Sequence, residues 1–141
     1  MPQVEFKGSG RYIMQSYILS QILNKKIVAI LRGFSYDENM FIMESLIESD
    51  ITNFEITLNT ESALEIIKDA SKKFGDSALV GAGTVRNLED AQNAIEAGAK
   101  FLICPNLSEE AIKYSIGKNI LIMPGVLTPS EMFRAKELGC D

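Results

Sequence analysis

The chain has 141 residues, with 14 basic and 19 acidic side chains, a net charge of −5 and no histidine. This length suits one domain and is below the roughly 200 residues of a complete (β/α)₈ barrel. The acidic balance and the lack of a basic stripe argue against nucleic acid as a partner. Because histidine is absent, Ser-His-Asp triads, Cys-His dyads and histidine metal sites are excluded. Acid–base chemistry therefore falls to Glu, Asp, Lys, Tyr or Cys.

The cysteines and the apolar runs add further expectations. Cys104 and Cys140 are far apart and form no CxxC pair, so we expect no zinc or redox motif, no metal and no other cofactor. Two thiols in such a chain favour a reducing, cytoplasmic location. No apolar run approaches the ~20 residues of a membrane helix, so we expect no membrane association. Residues 1–13 have no signal-peptide core and are interpreted as a leader or a cloning remnant, before a domain at residues 14–141.

Five short apolar runs recur along the chain, and a stretch with helical period follows each one. They predict β-strands at residues 27–31, 51–58, 78–80, 101–103 and 120–123. A further helix is predicted before the first strand, at about residues 15–23. Strands that alternate with helices in this way indicate βα units around a parallel sheet. The five units are either a complete flavodoxin-like domain or the first five-eighths of a (β/α)₈ TIM barrel.

Residues with a high propensity for helix ends mark the predicted helix boundaries. The predicted N-caps of the five helices that follow strands are, in chain order, Asp37, Thr60, Asn87, Ser108 and Thr128. The last of these has the strongest signal, because Pro129 stands at N1 and Glu131 at N3. Two glycines, Gly98 and Gly139, are predicted to follow the ends of their helices.

Glu55 is the most informative position of the chain. Period-two alternation places it with Thr57 and Asn59 on one strand face, opposite Phe54 and its apolar neighbours. A strand in a parallel sheet is normally buried on both faces, and a buried carboxylate is unfavourable unless it is paired or protonated. Desolvation would raise its pKa toward the range that is useful for proton transfer. We therefore predict an acid–base role, with an edge strand or a buried ion pair as the alternatives.

Other candidate residues also follow predicted strands. Gly83 and Thr84 close the third strand, where glycine lets a ligand approach the backbone and the threonine hydroxyl can donate to an oxyanion. Arg32 ends the first strand, at the edge where ligands bind in α/β folds, and suits a carboxylate or phosphate. The alternatives are a tight turn for the glycines and a solvated loop position for the arginine. Pro105 and Pro124 follow the fourth and fifth strands, where proline is usually punctuation.

A resemblance to a known family rests on the order of these strand-end motifs. The motifs are Leu31-Arg32-Gly33, Glu55-Ile56-Thr57-Leu58-Asn59-Thr60, Gly81-Ala82-Gly83-Thr84-Val85, Cys104-Pro105-Asn106 and Met123-Pro124-Gly125-Val126. In this order they resemble the 2-keto-3-deoxy-6-phosphogluconate (KDPG) and 4-hydroxy-2-oxoglutarate (KHG) aldolases. The galactonate-type aldolases belong to the same family. The resemblance runs from about Ile27 to the end of the chain.

The resemblance implies a (β/α)₈ barrel, here incomplete, with about five βα units and a leading N-terminal helix. It also implies a class I aldolase, in which a lysine forms a Schiff base with pyruvate. Such an enzyme cleaves a 2-keto-3-deoxy-6-phospho sugar acid, or KHG, to pyruvate and an aldehyde, which is glyceraldehyde 3-phosphate or glyoxylate. Glu55 matches the family's proton-shuttling glutamate, and Thr84 matches the residue that holds the pyruvate carboxylate. Arg32 matches a cationic substrate contact, and Pro105 matches a residue that lines the pocket.

Two further substrate-binding predictions and the assembly also follow from the resemblance. Gly83 is placed with the substrate-binding residues. Asn59 stands where many gluconate-type members have arginine, and so looks more like the galactonate type. The family forms homotrimers and uses no metal. The predicted partners are therefore an anionic small molecule, namely pyruvate with a phosphorylated aldehyde, and two further copies of the chain.

The family's lysine lies on strand six, beyond Asp141, and no lysine of this chain is predicted at a carboxyl strand end. We therefore expect a truncated aldolase that has no Schiff-base activity alone. One alternative is a non-catalytic five-stranded binding or assembly module. Another is a different phosphate-binding barrel, such as an epimerase or a thiamin-phosphate synthase relative. Because an open barrel exposes two strand edges, we expect oligomers or aggregates, whereas a cooperative monomer would favour the flavodoxin-like domain.

Overall fold

The computed structural model describes residues 12–140, and these residues form six helices and five strands. The helices are α1 (Tyr12–Lys25), α2 (Tyr36–Glu48), α3 (Ala63–Phe74), α4 (Leu88–Glu96), α5 (Glu109–Gly117) and α6 (Pro129–Glu137). The strands are β1 (Ala29–Leu31), β2 (Asn53–Thr57), β3 (Leu79–Gly83), β4 (Phe101–Ile103) and β5 (Leu121–Met123). The predicted alternation of strands and helices is confirmed. The predicted leader, residues 1–13, lies outside the described residues except for its last two, which belong to α1, and it stays a prediction.

All five strands are parallel, and they pair in chain order, from β1 to β5. A flavodoxin-like sheet has the strand order 2-1-3-4-5, because its chain winds in two directions from the first strand. The flavodoxin-like alternative is therefore wrong. Parallel strands that pair strictly in sequence are the arrangement of a TIM barrel, and the described chain has five βα units of that fold with a leading helix.

Two apolar clusters lie on opposite faces of the sheet. The larger cluster packs one face of the strands, including Phe54 and Val80, against helices that follow strands, with Met43 and Ile66 among its buried members. The smaller cluster places Ile18 of α1 against Phe101 and Leu121 on the other face. Alternate strand residues therefore enter different clusters, as period two requires. The second face is the one that carries Glu55.

Three of the five predicted N-caps are confirmed, because the side chains of Asn87, Ser108 and Thr128 each accept a backbone N–H of the first helical turn. Thr128 and Glu131 form a capping box with Pro129 in the first turn. Gly98 and Gly139 follow the C-caps of α4 and α6 at positive φ, as predicted.

The other two predicted caps are wrong. The N-cap of α2 is Ser35 rather than Asp37, because Ser35 and Glu38 complete a capping box. The N-cap of α3 is Ser62, in the left-handed region and without a side-chain bond. Thr60 does not cap that helix because its hydroxyl accepts the backbone N–H of Gly33 instead. In residues 12–140, no helix is long and apolar enough to cross a membrane.

Candidate active site

Glu55 lies in the middle of β2, the strand between β1 and β3, where it pairs with Ile30 and Gly81. Every residue of β2 is buried, and Glu55 is only 5% exposed. The edge-strand alternative is therefore wrong, because this carboxyl group belongs to an internal strand. Nor is it part of an ion pair within the described chain, where no cation lies within 4.0 Å of its oxygens.

The Glu55 side chain occupies space that the next strand leaves open. A Cβ atom built on Gly83 would overlap Glu55 Oε1 and its neighbouring carbons. Gly81 lies two residues earlier on the same face of β3. It leaves a similar space, and the Phe101 ring fills that space. Both glycines lie within β3. They leave room for large side chains on the face of the sheet that carries Glu55, so their role goes beyond ending the strand. Gly83 thus shapes the site without offering a side chain of its own.

Arg32 and Thr84 follow β1 and β3, the two neighbours of β2, and their side chains form a hydrogen bond. Arg32 is exposed just after β1, and its Nη2 donates a hydrogen bond of 3.4 Å to Thr84 Oγ1 just after β3. Thr84 has a φ of 59°. A β-branched residue rarely adopts this left-handed conformation, and such strained residues concentrate at functional sites. The pair places a guanidinium and a hydroxyl at the carboxyl edge of the sheet.

Two effects shift the pKa of the Glu55 carboxyl in opposite directions. Burial raises the pKa of the Glu55 carboxyl above its ordinary value, and the nearby Arg32 charge lowers it by a smaller amount. Because the folded pKa is above the unfolded one, ionising Glu55 opposes folding, and its contribution to stability decreases as the pH rises between the two values. A carboxyl group that keeps its proton to higher pH than an ordinary glutamate is better suited to proton transfer.

Asn59 and Pro105 are at the same edge but do not join this group. Asn59 is exposed in the turn after β2, and Pro105 is exposed in the loop after β4. No hydrogen bond in residues 12–140 links either of them to Glu55, Arg32 or Thr84. The Pro105 carbonyl instead lies where a Cβ on Gly125 would be, so the loops after β4 and β5 pack closely. Contacts within residues 12–140 thus link four of the six predicted residues, namely Glu55, Gly83, Arg32 and Thr84.

Two polar residues beside Arg32 form contacts that the sequence did not predict. Thr57 and Thr60 are buried, and their hydroxyls lie 3.0 Å apart. The sequence pattern places Thr57 on the same strand face as Glu55 and predicts Thr60 to be a helix cap. A polar residue inside a strand that is buried on both faces was a usable signal for Thr57, as it was for Glu55. No comparable signal existed for the contact between Thr60 and Gly33, which are 27 residues apart.

The lysines of the described chain are on helices or near the amino ends of strands. Lys68, Lys72, Lys73, Lys113 and Lys136 belong to α3, α5 and α6. Lys25 and Lys26 precede β1, while Lys100 and Lys118 precede β4 and β5. Glu55, Arg32 and Thr84 are all at or near the opposite, carboxyl edge. Residues 12–140 also contain no cluster of three or more His, Cys, Asp or Glu side chains that could hold a metal ion.

These features define a class of protein, namely a βα-barrel fold with a buried carboxyl group beside an arginine–threonine pair at the carboxyl edge of its strands. The KDPG and KHG aldolase family model matches residues 18–141. The chain therefore belongs to the KDPG and KHG aldolase family. The alternative of an epimerase or a thiamin-phosphate synthase relative is accordingly wrong.

Individual relatives agree with the family model. The chain is 34% identical to the 2-dehydro-3-deoxy-6-phosphogalactonate aldolase of Escherichia coli strain K12, over 82% of this chain and 56% of that protein. It is 35% identical to the 2-dehydro-3-deoxy-phosphogluconate aldolase of Zymomonas mobilis, over 71% of this chain and 47% of the relative. The chain thus spans about half the length of the curated relatives that it matches.

A solved structure shows the same fold. The KDPG aldolase of Legionella pneumophila, with pyruvate captured as a covalent carbinolamine intermediate, superposes with a TM-score of 0.74 at 27% identity. The match covers 79% of this chain and 54% of that one.

Proposed function

We propose that this chain carries the proton-transfer and carboxylate-binding part of a class I aldolase site. The observation that supports this proposal best is the buried Glu55 carboxyl, whose pKa is raised, beside the Arg32–Thr84 pair. The reaction is cleavage of a 2-keto-3-deoxy-6-phospho sugar acid, or of KHG, to pyruvate and an aldehyde. Arg32 and Thr84 hold the carboxylate of the pyruvate unit, and Gly83 and Pro105 line the pocket.

Each role follows from the chemistry of an imine intermediate. A lysine amine adds to the keto carbon, and the Glu55 carboxyl protonates the oxygen, so that water leaves and an iminium forms. The iminium accepts the electron pair of the breaking C–C bond while the Glu55 carboxylate takes the proton of the hydroxyl group that becomes the aldehyde, and the aldehyde departs. Glu55 then returns a proton to the nucleophilic carbon of the enamine. The carbinolamine reported in the Legionella relative belongs to such a sequence.

The lysine for this sequence comes from outside residues 12–140. This part of the proposal is supported by the helical and amino-end positions of the described lysines. Several of them already have partners, since Lys25 pairs with Asp50, Lys73 with Glu44 and Lys113 with Glu109. The proposal does not depend on a metal or other cofactor.

Substrate type, assembly and location are further parts of the proposal. Asn59 and the Escherichia coli relative's name favour a galactonate-type sugar acid over a gluconate-type one. The homotrimer and the cytoplasmic location stay predictions. A non-catalytic assembly module is the second candidate function, because β1 and β5 each have only one neighbour among the described strands.

Pyruvate tests both parts of the proposal. In nuclear magnetic resonance titrations, pyruvate is expected to shift the signals of Arg32 and Thr84, and Arg32→Gln is expected to remove the response. In a second arm, borohydride is added to the chain with pyruvate, and the intact mass is measured. No adduct is expected on the 141-residue chain. A stable adduct would contradict the missing lysine, whereas titration without a response at Arg32 would favour the assembly module.

A further inference from the structure

The backbone on both sides of Arg32 is tied to two threonine hydroxyls of the neighbouring βα unit. The N–H of Gly33 donates to Thr60 Oγ1 at 3.0 Å. Thr60 Oγ1 lies 3.0 Å from Thr57 Oγ1, and Thr57 Oγ1 donates to the carbonyl of Leu31 at 3.5 Å. Thr57 is fully buried and Thr60 is 5% exposed. The two threonines therefore hold the backbone N–H of Gly33, just after Arg32, and the backbone carbonyl of Leu31, just before it.

Hydrogen counting gives these contacts one direction. Each hydroxyl has one proton to donate, and the bond from Thr57 to Leu31 uses that of Thr57. Thr60 must then donate to Thr57 while it accepts the Gly33 N–H. In this arrangement both hydroxyl protons and the amide proton have an acceptor, and no buried donor is left without a partner. The χ1 angles of β-branched threonines are also restricted, so the two hydroxyls are held in place.

We propose that Thr57 and Thr60 are positioning residues that fix the Arg32 guanidinium over the site. The proposal rests on the proposed function, in which Arg32 binds the pyruvate carboxylate. Arg32 is exposed and must reach across β2 to Thr84, so its direction depends on the backbone from which it extends. Asn39 steadies the next part of the same loop, because its amide donates to the carbonyls of Phe34 and Ser35. The threonine pair acts directly on the two residues that flank Arg32.

The first test uses the chain without ligand. Thr60→Val keeps the shape of the side chain and removes its hydroxyl, whereas Thr60→Ser keeps the hydroxyl. Faster hydrogen exchange of the Gly33 amide is expected in Thr60→Val, together with a shift of the Arg32 Nε–Hε signal toward that of a free arginine. Thr60→Ser should restore both. Ser115→Ala is the matched control, because Ser115 is fully buried and its hydroxyl donates to a carbonyl within α5.

The second test measures pyruvate affinity in the same variants. Thr60→Val is expected to weaken binding about fivefold, which corresponds to the loss of about one hydrogen bond. Thr60→Ser and Ser115→Ala should bind as the unmodified chain does. Thr57→Val removes the bond to Leu31 and the acceptor of the Thr60 hydroxyl but leaves the Gly33–Thr60 bond, so it should have a smaller effect. It serves if Thr60→Val does not fold.

The outcomes separate this proposal from the proposed function. If Arg32→Gln weakens pyruvate binding but neither threonine-to-valine change affects the Arg32 signal or the affinity, the positioning role is wrong. If the unmodified chain does not bind pyruvate, the proposed function fails. The ligand-free Gly33 and Arg32 signals then still decide whether the threonines hold Arg32. An equal response to Ser115→Ala would also overturn the positioning role, because it would indicate a general effect of lost stability.

Discussion

Glu55 and Gly83 depend on each other across two neighbouring strands. The carboxyl group is buried in a central strand, where a charged group is costly, and it fits only because Gly83 leaves the adjacent space empty. Arg32 then reduces the cost of ionisation without forming an ion pair. The buried position of the Glu55 carboxyl group therefore depends on the missing side chain at Gly83.

Gly83→Ala is expected to lower the free energy of unfolding by about 1–3 kcal/mol, the usual effect of overpacking a core. The added methyl group must displace the Glu55 carboxylate. Urea unfolding measures the loss, and a Glu55→Ala background should largely relieve it, as a double-mutant cycle would show. Gly117→Ala is the matched control, because no heavy atom beyond the adjacent residues and the backbone of α5 lies within 4 Å of the new methyl group. A tolerated Gly83→Ala would contradict the described contact.

The sequence predicted candidate site residues where a residue type was unusual for its position in a strand. A carboxyl residue inside a buried strand pointed to Glu55, and an isolated arginine at a strand end pointed to Arg32. Thr60 was misassigned as a cap because cap propensity is a local signal, whereas its contact with Gly33 depends on how two βα units pack. The same limit applies to Gly83, whose empty space is used by a side chain of another strand.

Helices α5 and α6 are joined by a two-pronged ion pair. Arg134 donates from Nε and Nη2 to the two carboxylate oxygens of Glu109, each at 2.7 Å. Lys113 and Glu137 extend the network. The Arg134 hydrogen bonds hold the pKa of the Glu109 carboxyl well below its ordinary value, at about 2. The two helices that follow β4 and β5 are therefore linked on the outside of the sheet.

Arg134→Gln is expected to lower stability at neutral pH, with the difference lost on acidification. Because the folded pKa of Glu109 is depressed, its stabilising contribution is complete above the ordinary glutamate value and disappears as the pH falls toward about 2. Urea unfolding at several pH values measures this, and high salt should weaken the effect. Arg86→Gln is the control, since within residues 12–140 the ion pair of Arg86 is with Asp90 in its own segment. Equal losses in both variants would contradict a specific α5–α6 link.

The ends of helices and strands agree with the sequence prediction where the residues at that end form the contacts themselves. They differ where packing against a neighbouring strand determines the end. The capping box of α6 was readable because Thr128, Pro129 and Glu131 act within one turn. Strand β3 extends to Gly83, beyond the predicted residues 78–80. The glycines of this strand favour a turn by residue type. They belong to the sheet because β3 forms five residue pairs with β2, including those of Gly81 and Gly83. Neighbouring strands, rather than intrinsic preference, thus determine where this strand ends.

At the scale of the whole molecule, periodicity predicted five βα units but could not choose between two topologies. A flavodoxin-like sheet and a barrel are built from the same local units, and only the pairing order separates them. The observed order leaves β1 and β5 with one described neighbour each. A cavity of about 640 Å³ lies at the β5 side, lined by Leu121, Met123, Met132 and Phe133, and Glu55 is not part of it.

Self-association is therefore expected through the side of the sheet that carries β5 and α6. Exposed apolar surface beside a strand edge with no neighbour among the described strands promotes contact with another chain. Phe133→Glu is expected to reduce the weight-average mass measured by sedimentation equilibrium toward that of one chain. Phe41→Glu is the matched control, because Phe41 on α2 is 69% exposed, close to the 73% of Phe133, and the charge change is the same. Equal effects of both variants would indicate general solubility, and a monodisperse unmodified monomer would contradict the prediction.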